Sequence, residues 1–177
     1  MVVAALAALA LTSCTKDKQD TTPTTTKPPP TTTGTSSIAS SAPPVDHPLD
    51  ASAFVANPCA SLTEEQRRQF NITGTDPGTE SCFFAVNTTD SFIVAFDSSG
   101  LTSLYETHAQ NPLDNWQPAE IDGYPAIAAS KDSTSTCRFS VGVSDSLHFY
   151  VLMSNDGACA DSKTVASAVL ANIKAAN

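Results

Sequence analysis

Basic residues are scarce in this sequence: nine Lys and Arg stand against 18 Asp and Glu, a formal net charge of −9. Between Thr15 and His47 three acids (Asp17, Asp20, Asp46) cancel three lysines (Lys16, Lys18, Lys27). From Pro48 onward fifteen acids face six bases, so that segment carries the whole imbalance. Polyanions would be repelled, which argues against nucleic acid as a partner, and the acidic surface reads first as a solubility feature. Large apolar side chains are nearly absent from Thr15 to His47, where Ile38 and Val45 are the only larger aliphatics. Such a tract cannot offset its ordering entropy by burial.

Chemistry-bearing motifs are also missing. The chain has no Gly-x-Ser-x-Gly, no His-Glu-x-x-His, no EF-hand loop and no Gly-rich phosphate loop. Three histidines are present. His47 closes the Thr/Pro tract, His108 falls on an apolar helical stripe and His148 alternates out of a strand, and no nearby motif supplies a nucleophile. Asp97, Glu106 and Asp145 read as ordinary loop or helix-face acids. The expectation is no catalytic residue, no metal ligand and no cofactor. Asn71-Ile72-Thr73 and Asn87-Thr88-Thr89 match the eukaryotic glycosylation sequon.

What is present begins with an address. Val2 to Leu11 is an apolar run of ten residues, shorter than the roughly 20 that span a bilayer but matched to a signal-peptide core. It ends in Leu11-Thr12-Ser13-Cys14, an aliphatic residue, two small residues and a cysteine. This resembles the signature of bacterial lipoproteins and implies cleavage before Cys14 and lipidation of its thiol. No Lys or Arg precedes Lys16, so a basic segment is expected upstream of the numbered start. Residues 1–13 therefore read as a lipoprotein signal peptide and 14–47 as the lipidated cysteine with a disordered Thr/Ser/Pro-rich stalk. Its prolines favour extended conformations, and at about 3.1 Å per residue it reaches roughly 100 Å. Thr-rich stalks are also candidates for O-glycosylation.

Residues 48–177 read as a single α+β domain. Pro48 to Asn57 is a turn-like lead-in anchored by Phe54. Thr63-Glu64-Glu65-Gln66 has the form of a capping box opening a helix from Glu64 to Phe70. Strands are expected over Cys82–Thr88 and Phe92–Asp97, the second apolar on both faces and thus covered on each. Leu101, Leu104, Tyr105 and His108 form one stripe of an amphipathic helix. Pro112 and Pro118 bracket an irregular segment carrying Trp116. Asp122-Gly123 is placed for a two-residue hairpin turn, with a return strand Tyr124–Ser130 that Pro125 confines to an edge or its own beginning. Strands Cys137–Val143 and Leu147–Met153 follow, then a helix Ser162–Ala176 burying Val165, Val169 and Ile173. The fold expected is a mostly antiparallel sheet of about six strands with helices packed on its faces.

With Cys14 lipidated, Cys59, Cys82, Cys137 and Cys159 remain, an even number in an exported chain. Three pairings are open. Cys59–Cys82 and Cys137–Cys159 are preferred, because they join sequential elements through loops of similar size. Spacings of 23, 55 and 22 residues contain no Cys-x-x-Cys knuckle, which disfavours zinc. Trp116, Tyr124 and Tyr105 lie around the central irregular segment and are the candidate ligand groove.

Asn57-Pro58-Cys59-Ala60-Ser61-Leu62-Thr63, Cys82, Ile121-Asp122-Gly123-Tyr124-Pro125-Ala126, Cys137 and Cys159 together resemble the actinobacterial lipoproteins grouped as domain of unknown function 3558, over Pro48 to Asn177. The resemblance implies a lipid-anchored, stalked envelope protein and supplies neither an activity nor functional residues. The chain is accordingly read as anchored at the extracytoplasmic face of the cell membrane. It would be a monomeric, non-enzymatic binding or interaction module, partnered by the membrane through its anchor and by an envelope ligand or protein. The alternatives are an envelope hydrolase using His108 or His148 with a carboxylate, and a passive surface protein.

Overall fold

The computed structural model describes residues 41–113, 115–130 and 135–177. The expected signal peptide, the expected lipidation site Cys14 and the expected stalk up to residue 40 lie outside the described residues. The first described elements are small. Helix α1 (Ser52–Ala56) replaces the expected turn, a 3₁₀ turn covers Pro58–Ser61, and α2 spans Glu64–Gln69. The capping box is formed as the sequence predicts. Gln66 N–H donates to Thr63 Oγ1 at 3.2 Å and Thr63 N–H to Gln66 Oε1 at 2.9 Å. Each bond satisfies a donor that the helix start leaves unpaired.

Seven strands follow, with two more helices: β1 (Gly74–Pro77), β2 (Ser81–Ala85), β3 (Ser91–Asp97), α3 (Thr102–Gln110), β4 (Asn115–Ile121), β5 (Tyr124–Ser130), β6 (Thr136–Ser144), β7 (Leu147–Ser154) and α4 (Ala158–Ala175). They form one antiparallel sheet in the order β1-β2-β3-β7-β6-β5-β4. The fold is α+β, as expected. Two strands depart from expectation. β1 lies where the sequence predicts only a helix stop, and Trp116 sits in edge strand β4, not in an irregular segment. Pro118 is tolerated there because an edge strand needs no donor on its open side. The hairpin between β4 and β5 turns at Asp122 (φ 50°) and Gly123 (φ 84°), the two positive angles of a type I′ turn. Pro125 sits at the start of β5, opposite Glu120.

Register divides the sheet into two faces. One face carries Phe84, Phe92, Val94, Phe139, Val141, Phe149, Val151 and Met153, with α4 laid across them through Val165, Val169, Leu170 and Ile173, all buried. The other face carries α3 over the β4–β6 half, where Leu101 and Tyr105 pack on Ile127, Trp116 and Ala129. α3 docks closely because Gly142 lies beneath Leu101, whose Cδ1 is 3.0 Å from where a Cβ would stand. Strand β3 is therefore not covered evenly. Ala95 is buried, Ile93 is half-buried, and its neighbour Phe83 on β2 is 41% exposed.

Two disulfides clip these layers together. Cys59–Cys82 joins the 3₁₀ turn to β2, and Cys137–Cys159 joins β6 to the first turn of α4, each with Cα atoms 5.0 Å apart. These are the preferred pairings. α2 is pinned further by an amide pair: Asn172 Nδ2 donates to Gln66 Oε1 at 2.7 Å and to the Ser61 carbonyl at 2.8 Å.

The expected stalk ends earlier than His47. Val45 is 8% exposed, its N–H donates to Asp145 Oδ1 at 3.1 Å, and Tyr124 Oη donates to the His47 carbonyl at 2.9 Å. Leu49 N–H donates to the Val143 carbonyl at 2.8 Å, and the Asn177 amide brackets the Asp50 backbone. A short apolar residue and a few backbone bonds suffice to dock a segment whose composition alone reads as unstructured.

Replacing Cys137 and Cys159 together by Ser frees a loop closed over 22 residues and should lower unfolding free energy by about 3 kcal/mol on the chain-entropy model. Urea denaturation of the full chain, oxidised and doubly substituted, measures it; an unchanged midpoint would contradict a structural role.

Candidate functional site

Of the three aromatics expected to line a groove, Trp116 and Tyr105 come together and Tyr124 lies apart from them. Trp116 pairs with Ala129 and points to the α3 face, where it meets Tyr105 edge-on at 5.1 Å between ring centroids and stacks on His108 at 4.2 Å and 5°. Tyr124 pairs with Ile121 and points to the α4 face, within the main core. An odd offset along an antiparallel pair reverses the face, and sequence proximity hides this. None of the three lines the four cavities that described residues enclose at Met153, Asp145, Ala128 and Arg67.

The histidines are placed as structural groups. His108 is buried, its Nδ1 accepting the Leu113 N–H at 3.0 Å. His148 is fully buried on the α3 face, opposite Asp97 on β3 and Gly142 on β6. Arg138 reaches along that face, its guanidinium 3.7 Å above the Tyr150 ring and Nη2 3.1 Å from His148 Nε2. An arginine only donates, so His148 Nε2 accepts and the ring proton sits on Nδ1. That Nδ1 is buried without a hydrogen-bond partner. Burial and the neighbouring Arg138 charge push the His148 pKa down from 6.5 to about 4, against the opposing pull of Asp97 and the Gly100 backbone. Asp97 is held below its usual carboxylate range, first by the Ser99 hydroxyl at 2.6 Å. Burial lowers Arg138 from its ordinary value, though a guanidinium begins high enough to stay charged. A neutral histidine locked under a cation is a packing device. Both His148 and His108 are buried, His148 with Asp97 opposite it on β3.

A cavity that combines apolar walls with a buried, unpartnered polar atom lies elsewhere. A cavity of about 190 Å³ opens between the C-terminal end of α2, the β2–β3 turn, the end of β7 and the first turns of α4. Phe70, Val86, Phe92, Met153 and Val165 supply its apolar walls; Asp90, Ser91, Asn155, Asp161 and Thr164 supply polar groups. Its parts are positioned by local chemistry. Asn87 Oδ1 accepts the N–H groups of Thr89 and Asp90, both at 2.7 Å, while its Nδ2 donates to Asp90 Oδ2 at 2.6 Å. Asn155 Nδ2 donates to Asp161 Oδ2 at 3.0 Å, which fixes the amide orientation and leaves Asn155 Oδ1 buried without a donor. Sequence reasoning missed these residues. The Asn155-Asp156-Gly157 connection was legible as a turn, but nothing in it announced a cavity wall. A larger furrow of about 440 Å³ beside α4 is lined chiefly by small residues such as Ala128, Ser130, Gly157 and Ala160. Its lining is mostly apolar as well, but none of the buried polar atoms without a partner among the described residues belongs to it.

The cavity and the chain's entry occupy opposite poles of the sheet. Register aligns Phe92, Met153 and Cys137 at the cavity end, and Asp97, His148 and Gly142 at the end where residues 45–49 dock. The poles are on the order of 20 Å apart along the strands.

Comparison with known proteins matches residues 9–172 to the family described as "Protein of unknown function (DUF3558)". No curated protein and no solved structure matches.

A group whose folded pKa is depressed towards 4 leaves the unfolded chain binding more protons once pH falls below 6.5. Stability should therefore be fully present above pH 6.5 and fall as pH drops to about 4. The loss should reach up to roughly 3 kcal/mol, because a tenfold change in proton affinity is worth about 1.36 kcal/mol. His148→Gln, which can still accept from Arg138, should flatten that window. Denaturant melts at pH 7.0, 5.5 and 4.5 measure it, and an unaltered pH profile in the variant would contradict the assignment.

Proposed function

We propose, for a chain that belongs to the DUF3558 family of proteins of unknown function, that it is a lipid-anchored binding module on the extracytoplasmic face of a bacterial cell membrane. Cys14, preceded by Leu11-Thr12-Ser13 and the apolar run Val2–Leu11, supports the anchor. Two disulfides support an oxidising compartment. Among the described residues no helix is long and apolar enough to cross a membrane, which is compatible with attachment through lipid.

The observation that carries the binding role is the cavity at the pole opposite the chain's entry. Residues 45–49 pack at one pole, and the cavity opens at the other. Apolar walls with a few placed polar groups are the usual makeup of a small-molecule site, and here two turns, strand ends and a helix supply them. A passive surface protein has no use for such a cavity.

Two outcomes are expected. Cys14→Ala should move the protein from the membrane fraction to the medium, and labelling of cells with an alkynyl fatty acid should mark the parent chain alone; equal partitioning of the two would contradict the anchor. Fractionated envelope and culture extracts should contain an activity that raises Tm by several degrees, since a ligand at a hundred times its Kd contributes about 2.7 kcal/mol. Val86→Trp, which narrows the mouth, should abolish the response without lowering the unliganded Tm. Silence across all extracts would count against a binding module.

A further inference from the structure

The cavity's polar groups are one-sided. Asp90 and Asp161 bring two carboxylates to it, and no lysine, arginine or histidine is among the described residues that line it. Asn155 adds a third oxygen, Oδ1, buried and lacking any donor, because the amide's own N–H is committed to Asp161. The Thr164 hydroxyl is turned away, donating to the Ala160 carbonyl at 3.0 Å. Only Ser91 keeps a hydroxyl free to play either role. A buried acceptor without a donor costs free energy until something supplies one. Asp161 stands in the first turn of α4, where the positive end of the helix dipole favours a negative charge. The unmet demand is therefore for a hydrogen-bond donor carrying positive charge, beside a small apolar chamber. An apolar cavity of about 150 Å³ takes a benzene ring, so one of about 190 Å³ takes a ring or a short branched chain with little to spare.

We propose that the cavity takes hydrophobic amines, with an apolar ring or short branched chain packed against Phe92 and Met153 and an ammonium group held by Asp161, Asp90 and Asn155 Oδ1. This rests on the cavity being the ligand site. The fit explains features that neutral or acidic ligands leave idle. A carboxylate ligand would meet two like charges, and a plain hydrocarbon would leave Asn155 Oδ1 unsatisfied. A primary or secondary ammonium supplies two or three donors to oxygens that otherwise have only part of their capacity filled. The net negative charge of the domain adds attraction at a distance.

The test uses the full chain and three probes of nearly equal size: 2-phenylethylammonium, 2-phenylethanol and phenylacetate. Met1 and Met153 are the chain's methionines, so the Met153 methyl resonance gives a resolved report from inside the cavity. The ammonium is expected to shift it and to bind about tenfold more tightly than the alcohol, the difference between a charged and a neutral hydrogen bond. Phenylacetate should bind most weakly. Asp161→Asn and Asp90→Asn, both at exposed positions, should each cut the ammonium's affinity severalfold and leave the alcohol unchanged. Equal affinity for ammonium and alcohol, or a preference for phenylacetate, would overturn the amine assignment while leaving the cavity as a ligand site. A Met153 signal unmoved by all three would remove both.

Discussion

The clip from Cys137 to Cys159 is the constraint on which the rest of this structure depends. β6 lies near the middle of the sheet and α4 is the helix that covers its main face; the bond between them fixes where that helix begins. From that fixed start, Val165, Val169 and Ile173 fall onto Phe139, Val151 and their neighbours, and Asp161 and Thr164 fall beside Met153. Without the bond, the three residues Asn155-Asp156-Gly157 alone would set the start of α4, and Gly157 takes a left-handed φ of 90° with no side-chain cap on the helix. The second clip does the same for the other wall, holding the Pro58–Ser61 turn, and through it α2 and Phe70, against β2. Both clips thus serve one assembly: the layers and the cavity between them.

Much of the fold was legible because its signals are local. The capping box at Thr63 and Gln66, the Asp122-Gly123 turn, the alternation of Phe92, Val94 and Phe96, and the four-residue recurrence in α4 each rest on short-range chemistry that a single segment contains. β1 was not legible, since all four of its residues are exposed and they include a glycine and a proline. It exists because β2 offers it a ladder. Strand β4 was masked in the same way by Asn115, Gln117, Pro118 and Glu120, residues that suit an edge. The docked segment around Val45 escaped notice because composition averages over a tract and cannot see one buried valine.

The candidate site was the least legible part. Trp116, Tyr105 and Tyr124 are close in sequence, and their types are common in binding surfaces, but register sends two of them to one face and the third to the other. The residues that do enclose a cavity come from α2, a hairpin turn, a strand end and a helix start, a set spread from Phe70 to Val165. No periodicity or motif joins them. Only the paired sheet and its two sulfur bridges bring them together, so tertiary structure was required before the site existed as an object.

The proposed function rests on polarity within the molecule. The chain enters at the pole of Asp145 and Tyr124, and the cavity opens at the pole of Met153 and Asp161. A crystallographic soak of the protein with a library of small apolar and amine fragments tests this account most directly. Electron density for fragments enclosed by Phe70, Phe92 and Met153 is the predicted result. Fragments that settle only on the α3 face or the exposed Phe83 surface, with Phe70 and Met153 collapsed together across the cavity, would contradict it.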